Sequence, residues 1–172
     1  MKKTKKTAVS AILTALSVIL LLIGNLTQVL DLTAVVIASL AVVLAVIEIG
    51  NPYPWLVYAA TGILALLILP DKVIALEYLL FGGIYPIFKA MFERYHYAVA
   101  WTLKMSLFNT GFILLIVIAN YIMHIPDSGY DFNIPLLLLG NLFFVIYDLA
   151  LTRIITLYIV RVRKKLKLKD IF

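Results

Sequence analysis

Apolar residues run along this chain in long blocks, without the polar return every three or four residues that marks a water-facing helix. The first block, 8–30, follows Lys2, Lys3, Lys5 and Lys6 and closes on Gly24, Asn25, Gln28 and Asp31. The second, 32–49, ends at Gly50-Asn51-Pro52-Tyr53-Pro54, where two prolines one residue apart bias their predecessors toward extended backbone and stop a helix. The third, 54–69, halts at Pro70-Asp71-Lys72. Its apolar stretch from Trp55 to Leu69 reaches only about 22 Å at about 1.5 Å per residue, so it needs flanking turns or a locally thin bilayer. Blocks at 73–92, 98–123 and 134–160 follow, and a basic tail occupies 161–172. Runs of this length match the hydrocarbon thickness of a bilayer. The pattern predicts an all-α, polytopic membrane protein: one integral domain over 1–172, a bundle of six transmembrane helices. The first block is longer than the about 7–15 residue apolar core of a secretory signal, so it reads as a retained helix.

The fourth block departs most from plain lipid-soluble filler. Pro86 clashes with the carbonyl four residues back and leaves it without an amide donor. That carbonyl belongs to Gly82, followed by Gly83, so the expected kink has no side chain to obstruct it. Gly82, Gly83 and Pro86 are therefore a candidate hinge, in either a kinked anchor helix or the movable wall of a binding cavity. Lys89 and Glu93, four apart, share a helix face, in the weaker Lys-first order.

Composition supports lipid as the solvent: 64% of the residues are hydrophobic and the mean hydropathy is +1.07, against about half apolar in soluble chains. Cysteine is absent, which removes disulfide, thiolate and cysteine-metal chemistry. The net charge of +6 does not suggest nucleic acid. Ten of the basic residues lie in the two terminal segments beside apolar helices, where anionic lipid headgroups account for them. Six spans put both termini on one side. Lys89 and Arg94 border a loop on that side, while the opposite loops hold Asp31, Asp71, Asp127 and Asp131 against Lys72. The excess of Lys and Arg predicts a cell-membrane protein with both termini cytoplasmic.

Catalytic signals are poor. No G-x-S-x-G, H-E-x-x-H or phosphate-loop pattern occurs, and no enzymatic activity or cofactor is expected. His96 and His124 fall on opposite sides, so they form no metal site. Ionisable residues inside a membrane are costly and call for a role. Glu48, Lys104, Asp148 and Arg153, from three helices in the inner half, form a candidate buried ionic cluster, read as mutual neutralisation or as a coupling relay. Gln28, Glu77, Asn120, Tyr121 and Asn141, with Tyr130 from a loop, suit an outward-facing pocket for a small polar ligand. Interhelical hydrogen bonding is the plainer role for the amides. Glu77 calls for either Lys72 or a ligand. Ala8, Ala11 and Ala15 line one side of the first helix, and such small residues let another helix approach closely, within this chain or from a separate protein.

The six short spans, the internal termini and the run Ala11-Ile12-Leu13-Thr14-Ala15 resemble the substrate-binding S components of energy-coupling-factor (ECF) transporters. In that family an alanine-x-x-x-alanine motif docks onto a transmembrane T component, and the first loop, here 24–31, is a lid over the ligand. The segments Leu69–Lys72 and Tyr85–Arg94 are similar to bacterial membrane proteins that look like S components. The resemblance implies a subunit that captures a small molecule such as a vitamin outside and docks on a T component served by paired ATPases. Ala11 and Ala15 would then be the docking face, with Gln28, Glu77, Asn120 and Asn141 at the pocket. Two readings compete. One is a membrane scaffold similar to the small rod-shape-determining proteins, which share a six-helix plan. The other is a lipid-acting enzyme using Asp148 and Arg153.

Overall fold

A computed structural model describes residues 3–27, 31–119 and 134–163, with the side chain of residue 162 outside the description. The described residues form helices and turns and contain no strand. The helices are α1 (Lys3–Thr27), α2 (Asp31–Leu44), α3 (Tyr53–Ile68), α4 (Lys72–Glu77), α5 (Tyr85–Phe92), α6 (Tyr97–Val117) and α7 (Ile134–Leu157). Wider π-helical turns continue α2 through Ala45–Ile49, α4 through Tyr78–Gly82 and α7 through Tyr158–Arg163. Five helical stretches are long and apolar enough to cross a membrane: Lys3–Thr27, Asp31–Ile49, Lys72–Phe92, Tyr97–Val117 and Ile134–Arg161. Tyr53–Ile68 is apolar but shorter. The chain divides into two compact units, Met1–Ser128 and Gly129–Phe172.

Within the first unit, α1 packs on α2 and α3. Its buried stripe is small and polar as well as apolar: Ser10, Leu13, Thr14, Ser17, Val18, Leu21 and Gly24. Facing helices can approach closely across such a stripe. The Ser17 hydroxyl donates to Leu13 O of its own helix at 2.9 Å and lies 3.3 Å from Ala38 O of α2. From α2, Ala34, Ala38, Ala41 and Ala45 are buried at helical spacing. The core continues through Val57 and Ala65 of α3, Ile74 and Tyr78 of the fourth segment, and Ile87 of α5.

The turns are built from their own residues. Gly50 has φ +76°, a conformation side chains disfavour, and its amide bonds Ala45 O at 3.0 Å, closing α2. Lys6 Nζ donates to Ile49 O at 3.0 Å and lies 5.6 Å from the Tyr53 ring centre, so a cation from the start of α1 meets the negative end of the α2 dipole. At the other end, Pro70 cannot continue α3. Asp71 Oδ1 accepts from Val73 N at 2.8 Å and caps α4. Lys72 Nζ donates to Leu66 O at 2.8 Å and Leu69 O at 2.6 Å, closing α3. The Asn25 amide donates to Asp71 O at 3.2 Å, tying the end of α1 to this turn.

The span expected as one kinked helix over 73–92 is the helical stretch Lys72–Phe92, with its regular hydrogen bonding broken midway. Gly83 and Ile84 form a turn, and α5 begins afresh with Pro86 near its start, where a missing amide donor costs nothing. In the second unit, α7 carries Phe144, Asp148 and Leu151 on one buried stripe.

Candidate functional site

Three groupings of polar or aromatic residues stand out in the first unit. The first lies where α5 turns into α6. Glu93 Oε1 accepts from Lys89 Nζ at 2.7 Å and from Lys104 Nζ at 3.2 Å. Lys89 and Lys104 are 2% and 4% exposed, whereas the Glu93 side chain is 45% exposed. Side chains on a helix lean toward its N-terminus, so Lys104, two turns into α6, points back to the end where Glu93 sits. Its ammonium also lies 5.4 Å from the Trp101 ring centre, a cation–π distance. One carboxylate thus serves two nearly buried ammonium groups, a charge-assisted arrangement that fastens α5 to α6.

The second surrounds the interrupted span. The rings of Tyr58 and Tyr78 stack with centroids 6.3 Å apart, Trp55 meets Tyr58 and Phe88 edge-on, and Phe81 meets Phe108 of α6. Gly83 is the keystone of this seam: an added Cβ would lie 2.6 Å from Tyr78 Cζ and 2.8 Å from Tyr58 Cδ2. A Cβ on Gly82 would run into the Val35 side chain. In the π turn, Gly83 N reaches past the usual acceptor and bonds Tyr78 O at 2.7 Å. Leu79 O, the acceptor an α-helix would give that amide, instead receives the Tyr58 hydroxyl at 2.9 Å.

The third lies at the turn between α3 and α4, beside the start of α2. Asp31 and Asp71 are close enough to repel each other. Glu77 is 4% exposed, one turn further into α4.

The residues singled out from sequence are distributed as follows. Ala8, Ala11 and Ala15 lie on the exposed side of α1, away from its packed stripe. Gly82, Gly83 and Pro86 sit at the interruption of the fourth span. Glu77 is buried, and the nearest cation in sequence, Lys72, directs its ammonium to the Leu66 and Leu69 carbonyls. Glu48 is half-buried in the π turn that ends α2. Asp148 is buried and Arg153 exposed on α7, so Glu48 and Lys104 belong to one unit and Asp148 and Arg153 to the other. Asn141, also in the second unit, donates to Leu137 O of its own helix at 2.8 Å. Gln28, Asn120, Tyr121, Tyr130 and His124 lie outside the described residues.

Two participants escaped sequence reasoning. Glu93 was legible only as the partner of Lys89, because its link to Lys104 spans eleven residues and a turn. Tyr58 carried no signal in the sequence, since nothing local announces a π turn in another helix. Among the described residues no group of three or more His, Cys, Asp or Glu side chains is placed to hold a metal ion. No protein-family model, curated protein or solved structure matches the chain. What the fold and composition establish is an all-helical protein with several helices suited to crossing a membrane.

Proposed function

We propose that this chain is the non-enzymatic, substrate-binding membrane subunit of a bacterial uptake transporter of the ECF kind, docking on a separate T component through the alanine face of α1. The observation that supports this reading is the division of labour on that helix. Its close contacts inside the first unit use Ser10, Thr14, Ser17 and Gly24, while Ala8, Ala11 and Ala15 are exposed together with Ile12, Leu16, Ile19 and Ile23. A face of alanines between larger apolar side chains suits a second transmembrane helix better than it suits the core already formed.

Orientation follows from charge. Lys6 at the start of α1 and the Lys89–Glu93–Lys104 group belong to the end where α2 and α5 finish, and Asp31, Asp71 and Lys72 to the other. On this reading the lysine-rich end of the first unit is cytoplasmic, and the basic terminal segments put both termini on the cytoplasmic side. Glu77, buried one turn in from the opposite end, is the pocket residue this reading assigns among the described side chains.

The test is co-purification from native membranes. The chain should bring down a T component and paired ATPases, and Ala11→Trp should lose them. The purified chain should also gain thermal stability with one member of a vitamin panel. Full retention of the complex by Ala11→Trp would remove the assigned face. Absence of both partners and ligand, together with cell-shape defects on depletion, would favour the scaffold similar to rod-shape-determining proteins.

A further inference from the structure

Arg153 is a charge facing outward from a helix suited to crossing a membrane. α7 turns Phe144, Asp148 and Leu151 inward, whereas Arg153 is exposed. Around it, one and two turns away on the same face, lie Ile146, Leu149, Leu157 and Val160, each more than half exposed. Among the described residues no ion pair or hydrogen bond engages its guanidinium. Asp148, five residues back, points about 140° away around the helix. Charges inside a membrane are costly, and they persist where another helix or a water-filled cavity meets them.

Depth and direction narrow what meets it. The stretch Ile134–Arg161 has 28 residues. That is about 42 Å of helix, against a hydrocarbon core about 30 Å thick. Arg153 stands about 12 Å before Arg161, so with the excess shared between both ends its backbone lies about 6 Å inside the hydrocarbon. Side chains on a helix lean toward its N-terminus, and for Arg153 that direction is the middle of the span. Reaching the nearer headgroups means bending back against this lean, which disfavours a lipid phosphate as the partner. A carboxylate on a neighbouring helix at the same depth meets no such obstacle, and the guanidinium fork matches it with two parallel hydrogen bonds. Ala150, exposed three residues back, leaves room for that helix to come close.

A second copy of this chain has no such carboxylate to offer among the described residues. Glu77 and Asp148 are 4% and 2% exposed, both carboxylate oxygens of Glu48 are buried, and Glu93 holds Lys89 and Lys104. Asp31 and Asp71 stand at the starts of α2 and α4, away from the middle of any span. We propose that the outward face of α7 around Arg153 docks a transmembrane helix of a different protein, one that carries an Asp or Glu at matching depth. The inference is separate from the transporter reading and from the alanine face of α1: it requires only that α7 cross the membrane.

The chain has no cysteine, so an introduced one reports contact on a chosen face. The probe is a synthetic leucine–alanine membrane helix with one glutamate about 6 Å inside one end and a cysteine beside it. It is mixed with the full chain carrying Leu149→Cys in vesicles of phosphatidylcholine and phosphatidylglycerol. Disulfide formation should exceed that of the same peptide with leucine in place of glutamate by about tenfold. Arg153→Leu should abolish the excess, and Arg153→Glu should transfer it to a lysine peptide. Both substitutions are at an exposed position and leave the packed stripe of α7 intact. Ile113→Cys, exposed on α6, should show no excess. Equal yields from the glutamate and leucine peptides would overturn the proposal, as would Leu149→Cys chains linking to one another as readily as to the glutamate peptide. A peptide preference that survives Arg153→Leu, while that variant loses bound phosphatidylglycerol in native mass spectrometry, would also overturn it and assign the guanidinium to a lipid phosphate.

Discussion

Gly111 of α6 offers a measurement in which two familiar effects have opposite signs. Replacing a glycine by alanine inside a helix ordinarily stabilises it by about 1 kcal/mol. Here the added Cβ would lie 2.8 Å from Leu80 O, a backbone atom of the neighbouring π turn. Carbon–oxygen contacts normally begin near 3.3 Å, so the two segments must separate by about half an ångström. A flexible side chain could rotate away, but a carbonyl fixed in a helical turn cannot. Overpacking of this kind costs about 1–3 kcal/mol, and with a backbone obstacle the upper part of that range applies. Gly111→Ala should therefore lose about 1–2 kcal/mol net, a factor of roughly 5 to 30 in the folded population. Reversible unfolding in mixed micelles measures it. Thr110→Ala, exposed on the same helix, serves as the control for a change without obstruction. Gly62→Ala, whose obstacle is the end of the Leu79 side chain, should lose less. A Gly111→Ala protein as stable as the native one would refute the close backbone approach of α6 to the π turn.

Glu93→Gln removes a carboxylate that both Lys89 and Lys104 pair with. Buried pairs cost about 3–5 kcal/mol to break and exposed ones about 0–1. With Glu93 at 45% exposure and its lysines nearly buried, a loss of about 2 kcal/mol is expected by the same unfolding assay. A loss under about 0.5 kcal/mol, the usual size for a surface change, would remove the fastening role. At the opposite end, Asp71→Ala should cost about 1 kcal/mol through loss of the α4 cap, while Asp71→Asn, which still accepts from Val73 N, should cost much less. Equal losses would show that the carboxylate's charge, rather than its cap, is what matters.

The local devices were open to reading along the chain. Pro70 stops α3, Gly50 and the two prolines after it separate α2 from α3, and Pro86 with Gly82 and Gly83 marks the weak point of the fourth span. A proline that can stand near the start of a new helix need not bend an old one, and the glycines pack against Val35 and two tyrosine rings as much as they relieve a kink. Lys72 read as a possible partner of Glu77, and its real acceptors are carbonyls of the helix it follows. Backbone acceptors exposed at a helix end are invisible to a search for opposite charges.

Sequence alone determined the helical class, the helices suited to crossing a membrane and the ends of most helices, because these depend on composition and on interactions within a few residues. Rotation of each helix about its axis was decided by the tertiary structure. A helix apolar nearly all round carries no stripe to say which side faces its neighbours, so whether the alanine side of α1 met a helix of this chain stayed open until Ser17 was found against Ala38 and Ala11 exposed. The same reason hid the pairing of Lys104 with Glu93 and the capture of Leu79 O by Tyr58. Each joins two helices, and each exists only once both have turned to a particular angle.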